Sequence, residues 1–483
     1  MNRNNYPRIV IGGLSGDSGK TIVSCGLLAC LKNKGMDVSA FKKGPDYIDA
    51  AWLSVTSDKP ARNLDTFIMG FPAIKKAFLK RANLNGINII EGNRGIFDGV
   101  DNKGTHSTAE LAKFLESPVI IVHDISKVTR TAAASILGCI CLDPELKIKG
   151  VILNRAASDR HALIVKEVIE AETGVPVLGT IPKLSEKFVL PSRHLGLITP
   201  DEYEQEDIFI RDLKNIIEDN VDVSKIIDVA YTVPPIRNEN VAADESLKLS
   251  HVSSQAEQNT LSRKIKIGFF KDKSFSFYYP ENLEALVEAG VEIVEISSIK
   301  NSELKELDAL YIGGGFPETN LEELSSNKPM MQSLKNLVEE GLPVYAECGG
   351  LMYLAKSVIW KGKEYLLSGI LPLKIVVEEK PQGHGYSEVI VDNENPFFET
   401  GTVIKGHEFH YSKIYEYDDS LKTTYSVSRG TGCFNHRDGL AYKNVCASYF
   451  HIHALATPEW VDGMIKSARK YKELKKREII IER

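Results

Sequence analysis

The chain has 483 residues, 43% hydrophobic and 26% charged, with a formal net charge of -6. That length exceeds what one hydrophobic core usually supports, so two or three domains are expected; the acidic balance without a basic arm argues against nucleic acid, and no apolar stretch reaches the roughly 18 residues of a membrane span. The N-terminal MNRNNYPR lacks the apolar core of a signal peptide, and seven cysteines without paired metal spacing read as reduced thiols, which together point to the cytoplasm.

An apolar run, Arg8 to Ile11, leads into GGLSGDSGKT, Gly12 to Thr21, and a run of apolar and small residues leads away to Leu31. This order predicts a strand, a glycine-rich turn and a helix, in which converging backbone N–H groups and the helix dipole suit phosphate. Gly13, Gly16 and Gly19 shape the turn for ATP, Lys20 is placed to reach the terminal phosphates, and the Thr21 hydroxyl to hold Mg²⁺. Gly13 and Gly19 are separated by five residues, not the usual four.

The segment DVSAFKKGPDYIDAAWL, Asp37 to Leu53, comes next. Its strand ends near Phe41, and Lys42, Lys43, Asp46, Tyr47 and Asp49 cluster behind it, where ligands gather at the carboxyl ends of parallel strands. A further apolar strand, INIIEG, closes on Glu91, the expected acidic partner of Mg²⁺, with Asp46 second. In the glycine-rich loop beyond it, Asp98 and Asp101 either meet substrate or cap a turn. PVIIVHD ends at Asp124, KGVILNR carries Asn154 near its end, and VPVLGTIP adds a short strand. Strand and helix alternate without hairpin signals, so the fold class is α/β, with a mostly parallel, doubly wound sheet.

Residues 239–264 are polar and serine-rich and read as a linker between a first domain, 1–238, and a second, 265–483. The second domain alternates in the same way, and two doubly wound sheets are expected. DALYIGGGFPE ends a strand in Gly313, Gly314 and Gly315, whose N–H groups suit an oxyanion, although a plain tight turn reads the same. LPVYAECGGLMYLA holds Cys348 between an apolar strand and a helix, the geometry of a nucleophile elbow, with Gly349 just behind it. There the helix dipole is expected to lower the thiol pKa. Among the histidines, His451 and His453 end an apolar strand in CASYFHIHA; strict alternation would put both on one face, with His451 the expected base.

With these blocks in one chain, the sequence resembles the cobyrinic acid a,c-diamide synthases, glutamine-dependent ligases of cobalamin biosynthesis. The likeness runs through GGLSGDSGKT, FKKGPDYID, RNLDTF, EGNRGIFDG, LNR, RHLGL, GGGFPE, AECGGLMYL, GHEFHYS and SYFHIHA. It implies an ATP- and Mg²⁺-binding domain related to dethiobiotin synthetase and a class I glutamine amidotransferase domain of the type without the triad glutamate, whose place two residues beyond the histidine is held by His453. It assigns Cys348 as nucleophile and His451 as base. From the residues themselves, Gly314, Gly315 and Gly349 are expected at the oxyanion, Asn154 at ATP, Thr21, Asp46 and Glu91 at the metal, and Lys43, Asp46, Tyr47, Asp49, Arg94, Asp98 and Arg193 at the substrate. The partners implied are small molecules, with no nucleic acid and no membrane, and a homodimer is compatible with the resemblance. Two alternatives remain: a,c-diamidation of nickel sirohydrochlorin, and a P-loop switch or assembly ATPase, which would not need Cys348 and His451.

Overall fold

A computed structural model describes residues 5–184, 192–193, 196–236 and 264–481, with the backbone alone at 192–193, 196–197 and 478–481. The chain divides into two compact units, Met1–Asp244 and Glu245–Arg483. Apart from Lys264, the expected linker at 239–264 lies outside the described residues.

The first unit alternates β1 (Arg8–Gly13), α1 (Lys20–Asn33), β2 (Val38–Lys43), α2 (Tyr47–Ser57), β3 (Arg62–Leu64), α3 (Thr66–Arg81), β4 (Ile87–Glu91), α4 (Thr108–Phe114), β5 (Val119–Asp124), α5 (Arg130–Leu142), β6 (Ile148–Ala156), α6 (Asp159–Thr173) and β7 (Val177–Pro182). These strands form one sheet in the order β3-β2-β4-β1-β5-β6-β7, parallel throughout. Largely apolar runs explain this: every residue of β1 and β4 is buried, as a parallel strand covered on both faces requires. After a short antiparallel pair, β8 (Ser192–Arg193) and β9 (Gly196–Leu197), come α7 (Glu206–Asn220) and α8 (Val223–Tyr231). Helix α1 packs so closely on α7 that a Cβ at Gly26 would lie 2.9 Å from the Leu213 carbonyl oxygen. Because all strands of this sheet run the same way, the ends of β1, β2 and β4 bring Gly13, Lys43 and Glu91 to one edge.

The second unit comprises β10 (Lys266–Phe270), α9 (Pro280–Glu288), β11 (Glu292–Ile296), β12 (Ala309–Ile312), α10 (Leu321–Ser326), α11 (Lys328–Glu339), β13 (Val344–Glu347), α12 (Gly349–Leu354), β14 (Ala355–Trp360), β15 (Lys363–Leu366), β16 (Leu371–Val377), β17 (Gly383–Val391), β18 (Val403–His410), β19 (Ser412–Tyr417), β20 (Lys422–Arg429), β21 (Arg437–Tyr442), β22 (Val445–Ser448) and α13 (Pro458–Ile481). Its larger sheet runs β11-β10-β12-β13-β22-β21-β20-β17-β18. Pairing is parallel from β11 to β22 and antiparallel from β22 to β18, and β15-β14-β16-β19 forms a smaller sheet. This unit is therefore more mixed than a doubly wound sheet. The reason is readable in β16, LPLKIVV, where buried positions alternate with exposed or half-buried ones, the pattern of a strand covered on one face. Behind the parallel half, Tyr311, Tyr345, Phe397 and Trp460 pack edge to face, and Trp460 is fully buried.

Candidate active sites

In the first unit the glycine turn closes onto α1 through Gly19, the helix N-cap, whose φ of 95° lies where only glycine is unstrained. A Cβ there would also lie 2.2 Å from Asn154 Nδ2, which donates to the Ser18 carbonyl at 2.9 Å. Asn154 thus braces the loop from the end of β6. A Cβ at Gly13 would meet Ser18 Oγ at 2.3 Å, whereas Gly16 has open space around it. Lys20 folds back over the loop, its Nζ 3.0 Å from the Ser15 carbonyl oxygen. Burial, followed by the neighbouring charge of Lys42, lowers its pKa.

Behind the loop lies a charged cluster. Thr21 Oγ1 donates to Glu91 Oε1 at 2.9 Å and sits 3.3 Å from Asp49 Oδ1. Lys42 Nζ reaches Glu91 Oε1 at 2.7 Å and Asp49 Oδ2 at 2.5 Å. Burial opposes the Lys42 charge, yet Asp49 and Glu91 more than offset it and hold the ammonium above the usual lysine range. Burial pushes the Glu91 carboxyl up. The second carboxylate beside Thr21 is Asp49, expected at the substrate, whereas Asp46, expected at both the metal and the substrate, caps α2 by accepting from the Asp49 N–H at 2.8 Å. Burial and then the Asp49 charge push Asp46 up to about 7. Helix geometry explains the difference: an N-cap side chain turns back onto its own first turn, while three residues later the side chain is free to reach the loop. Lys42, noticed only as part of a polar cluster, proves to be its centre.

The remaining expected substrate residues are dispersed. Lys43 is buried at the end of β2, and burial lowers its pKa, opposed by Asp65. Tyr47 opens α2 and is half-buried; Arg94 is exposed, with φ 48°. Asp98 accepts from the Gly95 N–H at 2.8 Å and Asp101 from the Lys103 N–H at 2.9 Å, so both cap turns in their own loop. Arg193 lies on β8, and its side chain is outside the described residues. Among the described residues no group of three or more His, Cys, Asp or Glu side chains is arranged to hold a metal ion. A hydroxyl and two carboxylates nonetheless suit Mg²⁺, which takes one or two carboxylates and fills its other positions with water and phosphate.

In the second unit β13 runs parallel to β22, with Glu347 opposite Ser448, and the chain turns at Cys348, φ 47° and ψ −98°, into α12. The Cys348 N–H donates to the Ser448 carbonyl at 2.7 Å, and Sγ lies 4.0 Å from the Phe409 carbonyl oxygen. Contrary to the expected dipole effect, the thiol pKa is raised. Burial dominates, the charge of Glu318 adds to it, and the opposing Gly349 N–H is too weak an offset. The glycine turn abuts this elbow: a Cβ on Gly349 would be 3.2 Å from the Gly315 nitrogen, and one on Gly314 would be 2.6 Å from His451 Cε1 and 3.4 Å from its Nε2. The Gly313 N–H donates instead to Tyr278 Oη at 2.8 Å, which takes it out of any oxyanion site.

His451 and His453 do not share one site. Strand β22 ends at Ser448, so strict alternation no longer applies to them. His453 Nε2 lies 3.8 Å from Glu281 Oε2, and its ring packs on Tyr279 at 4.7 Å. His451 Nδ1 is 3.2 Å from Glu347 Oε2, and its ring stacks on His407 at 4.9 Å. Burial, together with the neighbouring His451, His384 and His453, holds the His407 pKa well below the ordinary value, so that ring is neutral. Glu347 itself was overlooked in the sequence, although a carboxylate closing a buried strand is the signal that singled out Glu91.

Among the described residues no helix is long and apolar enough to cross a membrane. Residues 9–198 match the model of the CobQ/CobB/MinD/ParA nucleotide binding domain, and residues 266–459 that of the CobB/CobQ-like glutamine amidotransferase domain. A protein of Magnetococcus marinus named cobyrinate a,c-diamide synthase is 38% identical over 96% of this chain and 97% of its own length. Proteins of the same name from Archaeoglobus fulgidus and Dehalococcoides mccartyi are 38% and 36% identical, each over 97% of this chain and 99% of their own. With similarity running through both units at that level, the chain belongs to the cobyrinate a,c-diamide synthase family.

Proposed function

We propose that this enzyme uses ATP and glutamine to amidate the a and c acetate carboxylates of cobyrinic acid, a step of cobalamin biosynthesis. The observation that carries the reading is the similarity along 96 to 97% of the chain to proteins named for that reaction. The phosphate loop and the cysteine elbow support it, each lying within a separate unit. We place the domain boundaries at 1–238 and 265–483, with 239–264 as linker.

In the glutaminase half-reaction His451 takes the Cys348 proton as sulfur attacks the side-chain amide, which suits a thiol whose resting pKa is raised. The Gly314, Gly315 and Gly349 backbone stabilises the oxyanion, ammonia leaves, and water cleaves the thioester to glutamate. In the synthetase half-reaction ATP phosphorylates a substrate carboxylate and ammonia displaces phosphate from the acyl phosphate. Lys20 neutralises charge on the moving phosphoryl group, and Lys42 pairs with Asp49 and Glu91 beside Thr21. Thr21, Glu91 and Asp49 would hold Mg²⁺, which supplies charge neutralisation on the nucleotide phosphates.

The test supplies ATP, Mg²⁺, glutamine and either cobyrinic acid or nickel sirohydrochlorin, and weighs the products. Two added amides on cobyrinic acid support the reading; amidation of the nickel compound alone would transfer it to that substrate, and absence of glutaminase would favour a switch ATPase. Cys348→Ser should abolish glutamine-dependent amidation and spare synthesis from ammonium salts. Loss of both would count against separate sites.

A further inference from the structure

We propose that Glu347, the residue immediately before the nucleophile, is the positioning acid of the glutaminase site and supplies from strand β13 what the glutamate two residues beyond the histidine supplies in triad amidotransferases. This rests on the glutaminase reading above. The place of that missing glutamate is occupied by His453, which is engaged with Glu281 and Tyr279.

Glu347 is fully buried and its contacts are specific. Oε2 faces His451 Nδ1 at 3.2 Å and accepts from Tyr311 Oη at 3.1 Å, while Oε1 accepts from the Ile452 N–H at 3.3 Å. With the carboxylate as acceptor, Nδ1 carries the proton and Nε2 keeps its lone pair. That edge of the ring faces the Gly314 turn beside the elbow. The bond to Ile452 fixes the backbone just after His451, and Asn282 extends the restraint by accepting from the Ala454 N–H at 2.7 Å and donating to the Ile452 carbonyl at 3.2 Å. The His407 ring covers one face of His451, so the imidazole is held at its Nδ1 edge and across a face. A buried carboxylate is costly to maintain where a neutral side chain would pin a loop equally well, and its charge becomes useful when His451 turns into an imidazolium during thiol attack.

The experiment uses the full chain and measures glutamate release from glutamine together with its pH profile. Glu347→Gln preserves size and replaces the acceptor with an amide able to donate to Nδ1, which moves the ring proton to Nε2. The expected loss in kcat/KM is on the order of a hundredfold to ten-thousandfold. The acid limb of the profile should move to lower pH, because the imidazolium has lost its counter-charge. Tyr311→Phe removes the neighbouring hydrogen bond to the same oxygen but not the charge, and should leave the acid limb in place. Nitrogen chemical shifts of His451 in the unaltered protein should report the Nδ1–H tautomer. A Glu347→Gln protein within about threefold of wild type with an unmoved limb, equal losses in Tyr311→Phe, or an Nε2–H tautomer would each overturn the assignment. A wild-type chain with no glutaminase activity would overturn the functional reading and this assignment with it.

Discussion

Thr21 Oγ1 donates to Glu91 Oε1 at 2.9 Å, which joins the first residue after the phosphate-loop lysine to the carboxylate that closes β4. If this pair organises Mg²⁺ and the nucleotide, Glu91→Gln keeps the side chain's size and removes the balancing charge. Amidation should then fall on the order of a hundredfold or more with either glutamine or ammonium as nitrogen source. Glutaminase should change far less, since Glu91 and the elbow at Cys348 lie within separate units. Asp49→Asn should cost more than Asp46→Asn, because Asp49 stands at Thr21 and Asp46 caps a helix. Near-normal amidation by Glu91→Gln across a magnesium titration would remove the assignment.

Lys42 is 1% exposed between Asp49 and the fully buried Glu91. Lys42→Met leaves two carboxylates without their counter-charge, one of them entirely away from water. Breaking such a pair from one side typically costs about 3–5 kcal/mol, so urea unfolding of the first unit should show a loss of that size. Adding Glu91→Gln to Lys42→Met should recover part of the loss, with a coupling of about 1–3 kcal/mol between the two sites. Strict additivity would mean that Lys42 matters for packing and not for charge.

The parallel sheet of the first unit was legible because β1, β4 and β5 are mostly apolar runs, each closed by a glycine or an acid, and such runs have few other uses. The antiparallel half of the second unit was less so, since half-buried strands such as β16 and β17 carry polar residues between apolar ones and so lack a continuous apolar signal. The elbow could be read from Cys348 and its two glycines, which the turn demands for steric reasons. Glu347 could not be assigned in the same way: its partner is 104 residues away, and only the parallel pairing of β13 with β22 brings His451 to it. Asp46 and Asp49 could not be told apart because a run of polar residues does not reveal which one is the N-cap.

Cys348 has φ 47° and ψ −98°, a backbone conformation that side-chain-bearing residues enter at a cost of about 1–3 kcal/mol. Cys348→Ala removes the thiol but keeps the Cβ and therefore the strain. Cys348→Gly removes both. Alanine to glycine ordinarily destabilises by about 0.4–1 kcal/mol through the unfolded chain. Here the order should reverse, with the glycine variant more stable than the alanine variant by about 1 kcal/mol in urea unfolding, and both inactive as glutaminases. An alanine variant more stable than the glycine one would mean that the elbow stores no strain.

Asp438 offers a test of pH dependence at a buried carboxylate that takes no part in the proposed chemistry. Its carboxylate is buried, accepts from the Gly439 N–H at 2.8 Å and lies 3.0 Å from Cys433 Sγ, and burial raises its pKa from 3.8 to about 6 despite those donors. Below about pH 4 both folded and unfolded chains carry the proton. Between there and about 6 the folded chain keeps it and the unfolded chain has released it, so unfolding sheds a proton and each rise in pH favours unfolding. Above about 6 this contribution levels off, at a cumulative loss of about 3 kcal/mol. Asp438→Asn has no proton to lose and keeps an acceptor oxygen for the same N–H. The stability of the wild type minus that of Asp438→Asn should therefore fall between pH 4 and pH 7.5, by about 2–3 kcal/mol, as followed by urea unfolding of the second unit at each pH. The sign is the informative part: a carboxylate held by its donors in the ionised form would show the opposite slope, with wild type gaining on the variant as pH rises. A flat difference would place the Asp438 pKa at its ordinary value and remove burial as the dominant influence on this group.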